Sequence, residues 1–124
     1  MADFGDLAKR SSLLFGSLFG GLGVMLAAAA THTADTHLLS NASAMALAHA
    51  PVLIAISIGW EKLRTALPAS VAMTIGILLF AGDLLSRHFG GSALFPMAAP
   101  IGGIAMMLSW IILAASAFLR PRKA

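Results

Sequence analysis

The chain has 124 residues, 59% hydrophobic and 10% charged, and its 8 Lys and Arg against 5 Asp and Glu leave a formal charge of +3. Soluble domains carry about 25% charged residues, and so short a chain has no room for a core that could hide four long apolar runs. The absence of cysteine removes disulfides, thiolate nucleophiles and Cys-based metal sites. The basic excess does not point to nucleic acid, because the cations flank the apolar runs as they do at a membrane surface.

A helix needs about 20 predominantly apolar residues to cross a bilayer, and the chain offers four such stretches. The first, 12–30, follows Lys9 and Arg10, with Asp6 or Ser11 and Ser12 available as its cap. Within it Gly16, Gly20, Gly23 and Ala27 recur at helical spacing and form a smooth face that lets another backbone approach. Packing within the chain is the first reading of that face, and a homodimer contact the second. Lys9–Ala30 also resembles a secretory signal peptide with Ala27–Ala30 at its cleavage site, but it exceeds the usual apolar core of about 7–15 residues.

The second stretch, 43–60, has Asn41 as a potential cap and carries His49 and Pro51. Pro51 frees the carbonyl of Leu47 and predicts a kink just past His49. Trp60 suits an interfacial anchor. The third, 69–86, has Pro68 in its first turn and is ended by Gly90-Gly91; the fourth, 97–119, opens between Pro96 and Pro100. The expected fold is all-α: a single domain over 1–124, an integral membrane four-helix antiparallel bundle.

Lys and Arg near the helix ends set orientation. Lys9, Arg10, Lys62, Arg64, Arg120, Arg122 and Lys123 would all lie on one side, whereas the first loop has no cation and the third only Arg87. Both termini are therefore expected in the cytoplasm.

Ionisable residues within membrane segments are functional candidates by default. His32, Asp35, His37, His49, Asp83, Arg87 and His88 gather toward the opposite, outer side, with His49 about 9 Å into the second span at roughly 1.5 Å per residue. Asp83 and Arg87 have the i, i+4 order favoured for a helical ion pair. A self-neutralising pair is the first reading, and an Asp83 that holds a proton or cation the sharper one. His49 has no evident partner in its own helix, so a neutral imidazole bonded to a carbonyl of a neighbouring helix is expected. The His and Asp spacing matches no metal motif, and no catalytic set or phosphate loop is visible. No cofactor is expected.

The run Leu79-Phe80-Ala81-Gly82-Asp83-Leu84-Leu85, then Ala99-Pro100-Ile101-Gly102-Gly103 and Trp110, resembles the YgdD-type inner-membrane proteins, relatives of eukaryotic transmembrane protein 256 in a domain family of unknown function. Ala27–His32 is similar to the family's first-span motif, and His49 within Met45–Ala50 to its second-span histidine. Asp83 and Leu85 stand where a serine and a tyrosine are usual. The resemblance implies a four-helix membrane protein, and one packed constellation of His32, His49, Gly82 and Pro100–Gly103 in which the two histidines share hydrogen bonds with the Pro-Ile-Gly-Gly backbone.

The expected function is that of a non-enzymatic multi-pass protein of the bacterial inner membrane, an accessory, assembly or stabilising partner of a membrane complex. The expected partners are the lipid bilayer and another membrane protein or a second copy. The alternative is a small oligomeric transporter or channel for protons, cations or a small solute, built on His49 and Asp83.

Overall fold

The computed structural model describes residues 3–121. It contains α1 (Phe4–Ala30), α2 (His37–Ile58), α3 (Ala66–Gly90) and α4 (Ala98–Ala115), the last prolonged by a 3-10 turn over Ser116–Phe118, and no strand among the described residues. All four helices are long and apolar enough to cross a bilayer, at 27, 22, 25 and, over Ala98–Phe118, 21 residues. Arg122 and Lys123, which contribute to the orientation argument, lie outside the described residues.

The helix ends follow local chemistry, though not always at the expected residue. Asp3, not Asp6, Ser11 or Ser12, caps α1: its carboxylate accepts the Asp6 N–H at 2.7 Å. Asp6 instead stands in the first turn, where a negative charge suits the exposed amides. Asn41 lies inside α2, which starts a turn earlier, at His37, whose N–H is held by the Asp35 carboxylate at 3.0 Å. α2 runs through Pro51 to Ile58. Gly91 closes α3 at φ 76°, the left-handed region open to glycine. Pro100 falls in the first turn of α4, where its missing N–H has no intrahelical partner to lose.

The helices alternate in direction. Lys9, Ser12 and Gly23 of α1 meet Ser57, Leu53 and Ser43 of α2, and Gly76 and Phe80 of α3 meet Met106 and Gly102 of α4. One end of the bundle thus carries both chain tails and the 59–65 connection, the tail end. The other carries the 31–36 and 91–97 connections, the hairpin end.

The packing is sequential rather than square. α1 packs on α2, α2 on α3 and α3 on α4, while no described Cα of α4 lies within 8 Å of one in α1 or α2. The main core, from Phe19 and Leu26 through Ala46, Leu53, Met73 and Ile77 to Met106, lies chiefly between α1, α2 and α3. Trp60 is a correction. Instead of anchoring at an interface it is 3% exposed and packs with Ile56, Ala66 and Ala69 at the tail end. The 59–65 connection folds back there, and the indole fills the space beneath it.

Candidate functional site: polar ties across the helices

Three constellations hold the residues that the sequence singles out. The first is His49. It lies twelve residues past the start of α2, about 18 Å along the axis at roughly 1.5 Å per residue, because α2 begins earlier than expected. That puts it past the middle of the helix rather than near its first turns. Its partners also differ from expectation: Nδ1 is 2.7 Å from the Met45 carbonyl of its own helix, and Nε2 accepts from Trp110 Nε1 at 3.1 Å. Indole nitrogen only donates and a carbonyl only accepts. The proton must then sit on Nδ1, and the ring is neutral with both nitrogens engaged.

Trp110 is the donor, and nothing in its local spacing ties it to His49. It lies twelve residues past the start of α4, at the matching height, with its ring centroid 5.8 Å from that of His49 in an edge-on arrangement. Since the α2 and α4 backbones stay apart, this long side chain bridges them past α3. A tyrosine or phenylalanine could not do the same with an N–H at that reach.

Asp83 is the second constellation. Its side chain is fully buried, and its two oxygens have separate tasks. Oδ2 accepts from Arg87 Nε at 2.8 Å, the expected i, i+4 pair, while Oδ1 accepts the backbone N–H of Leu94 at 2.8 Å. The carboxylate therefore pins the 91–97 connection onto α3. Ser86 adds a second tie, donating to the Ser92 carbonyl at 2.8 Å. Gly82 lies under Leu94, and a methyl group there would touch Leu94 Cδ2 at an ordinary 3.7 Å, so the contact suits glycine without demanding it.

The third is the Pro-Ile-Gly-Gly turn of α4. Gly102 and Gly103 have opposite environments. A Cβ on Gly102 would stand 2.6 Å from Phe80 N and 2.7 Å from Gly76 O, whereas one on Gly103 would meet nothing within 4 Å. Gly76, which the motif reading passed over, is the other half of the crossing: a Cβ on it would fall 2.8 Å from Met106 N and 2.9 Å from Gly102 O. An interior glycine with no turn to make was its signal, since glycine is otherwise unfavourable in a helix. Small residues at such crossings let backbones touch where lipid supplies no hydrophobic drive.

The first-span glycines behave similarly against α2. A Cβ on Gly16 would meet Ile54 Cγ1 at 2.9 Å, one on Gly23 would meet Leu47 Cγ at 2.6 Å, and one on Gly20 would meet Ala50 Cβ at an ordinary 3.7 Å. Around them lies a set of ties that sequence reasoning missed. Ser12 donates to the Leu53 carbonyl at 2.8 Å, Ser43 to Gly23 at 2.7 Å and Ser57 to Lys9 at 2.9 Å. Each hydroxyl satisfies itself on the facing helix rather than on its own.

The expected single constellation therefore divides. His49 shares its hydrogen bonds with Met45 and Trp110, not with His32 or the Pro-Ile-Gly-Gly backbone. His32 is exposed in the turn after α1, where its N–H bonds the Ala29 carbonyl. His37 is exposed beside Asn41, and Asp35 serves the start of α2. No group of three potential metal-ligating side chains converges among the described residues.

Neither a curated protein nor a solved structure matches the chain. A family model described as Protein of unknown function (DUF423) matches residues 20–103, a stretch that runs from Gly20 in α1 through His49 and Asp83 to Gly103. Covering more than half of the sequence, that match makes the chain a member of the DUF423 family, the family of YgdD and transmembrane protein 256.

Proposed function

We propose that the chain crosses a bacterial inner membrane four times with both tails in the cytoplasm, and serves without enzymatic activity as an assembly or stabilising partner of another membrane complex. The observation that carries this reading is how the intramembrane polar groups are used. Both nitrogens of His49 are engaged within the fold, and each Asp83 oxygen already accepts a hydrogen bond there, on a side chain that is fully buried. A carrier site needs ligand groups that converge and can reach their cargo, whereas His49 and Asp83 belong to separate ties. Meanwhile α4 presents Ile101, Ile104, Met107, Leu108 and Ile111 outward, unopposed by α1 or α2. A lateral apolar face beside a rigid interior suits a helix partner.

The orientation draws support from charge. Lys9, Arg10, Lys62, Arg64 and Arg120 share the tail end, while Arg87 at the hairpin end is paired with Asp83. With no native cysteine in the sequence, reporters need no background removal. A cysteine at Ser92 should react with an impermeant maleimide in intact cells, and one at Lys62 only after permeabilisation; the reverse pattern would defeat the topology. For the partner, photo-crosslinkers at Ile104 and Ile111 should trap one discrete protein in native membranes. Adducts with lipid alone, together with His49-dependent ion flux in proteoliposomes, would favour transport instead.

A further inference from the structure

A cleft of about 530 Å³ at the tail end is walled by Arg64, Leu119, Arg120 and Pro121. Its two arginines come from distant parts of the chain and are brought together by a polar clamp. The Thr65 hydroxyl donates to the Ile112 carbonyl at 2.7 Å, and the Thr65 N–H donates to Ser116 Oγ at 3.0 Å. This fixes the residue after Arg64 against the last turn of α4, from which the 3-10 turn leads to Arg120. Two cations therefore face one cavity by construction.

Nothing among the described residues neutralises them. The ion pairs there are Lys9 with Glu61, at 3.8 Å, and Arg87 with Asp83, so no described carboxylate lies within 4.0 Å of Arg64 or Arg120. Among the described residues the cleft thus has no counter-anion. The planar forks of arginine match the oxygens of a phosphate in pairs, and basic pockets between membrane helices suit anionic headgroups. The rest of the wall favours a lipid over a free ion. Leu119 and Pro121 line it, and Phe118 beside it is 90% exposed, an apolar shelf of the kind that glycerol and the first acyl carbons would cover.

We infer that Arg64 and Arg120 form a binding site for the phosphate of an anionic glycerophospholipid, seated in the leaflet at the tail end of the bundle. The inference rests on the membrane reading but not on the accessory role, and it would survive if the protein proved to be a transporter.

The test is retention of single lipids by the full chain in mild detergent, followed by native mass spectrometry with phosphatidylglycerol and phosphatidylcholine of the same acyl chains. The parent should hold phosphatidylglycerol in preference. Arg64→Gln/Arg120→Gln should lower that retention about tenfold while leaving phosphatidylcholine unchanged, given that each basic residue near an anionic surface contributes about fivefold at most. Arg10→Gln/Lys62→Gln, which removes the same charge from the same end but outside the cleft, should leave most of that retention in place. Equal losses in the two double variants would overturn the site, leaving only diffuse surface charge. So would protection against heat by inorganic phosphate alone at the concentration where phosphatidylglycerol protects, since the cleft would then be a free-anion site. Circular dichroism of both variants checks that the helices persist, and Arg64→Lys/Arg120→Lys, which keeps the charge without the fork, should retain phosphatidylglycerol less well than the parent. Retention equal to the parent would overturn the paired-fork geometry.

Discussion

The two hairpins solve one problem in different materials. In the α1–α2 hairpin, Leu47 fills the room over Gly23, Gly16 faces Ile54 and, for a Cβ, the Ala50 carbonyl at 3.0 Å, and serine hydroxyls tie the helices through backbone carbonyls. In the α3–α4 hairpin, backbone lies on backbone at Gly76 and Gly102, and the polar ties stand at the two ends, Thr65 with Ser116 at one and Asp83 with Leu94 at the other. Side chains can rotate away from an intruding methyl group; main-chain atoms cannot. Both crossing glycines of the second hairpin would bring a Cβ within 2.9 Å of main-chain atoms, so it should be the more brittle one, although α4 is the less covered helix.

That contrast is open to direct attack. The largest effect is expected from Gly102→Ala, whose methyl would sit against Phe80 N and Gly76 O. A loss of about 3 kcal/mol, the upper part of the usual over-packing range, should appear in equilibrium unfolding by denaturing detergent. Gly103→Ala, one residue along, meets nothing and should be neutral or stabilising by up to about 1 kcal/mol, the usual gain on replacing a glycine inside a helix, and equal losses at both positions would break the comparison. Next comes Asp83→Ala, which removes the acceptor of a charge-assisted bond and of the Leu94 N–H. About 2 kcal/mol is expected, with faster hydrogen exchange at Leu94 and little change in α1–α2.

Gly23→Ala should cost about 1 kcal/mol, because Leu47 can turn aside, albeit off its preferred rotamer. A loss as large as that of Gly102→Ala would mean that both hairpins are equally unforgiving. Smallest are the single changes Ser12→Ala, Ser43→Ala and Ser57→Ala, at about 0.6 kcal/mol each, the mean for hydrogen bonds between membrane helices. The Ser43 tie lies more than two turns from the others, so its loss should add to theirs, whereas the Ser12 and Ser57 ties stand on adjacent turns of both helices and should couple.

Much of this was legible beforehand, and the residues show which part. The four apolar stretches, the Gly90-Gly91 stop, Pro68 and Pro100 in first turns and the Asp83–Arg87 pair all depend on neighbours within about one helical turn, which sequence spacing reports. The union of His49 with Trp110, 61 residues away, had no such local sign. Neither did the serine ties, the burial of Trp60, or the assignment of the backbone crossing to Gly102 rather than Gly103.

The physical reason is the solvent. In water an apolar stripe announces the buried face of a helix, because the other face must be polar. In a bilayer both faces are apolar, lipid chains being as hydrophobic as leucine, and the pattern no longer says which side meets protein. Number, length and ends of the helices are thus written in runs of residues and in their caps. Which glycine admits a backbone, which serine finds a carbonyl and which indole reaches an imidazole became defined only when the helices packed.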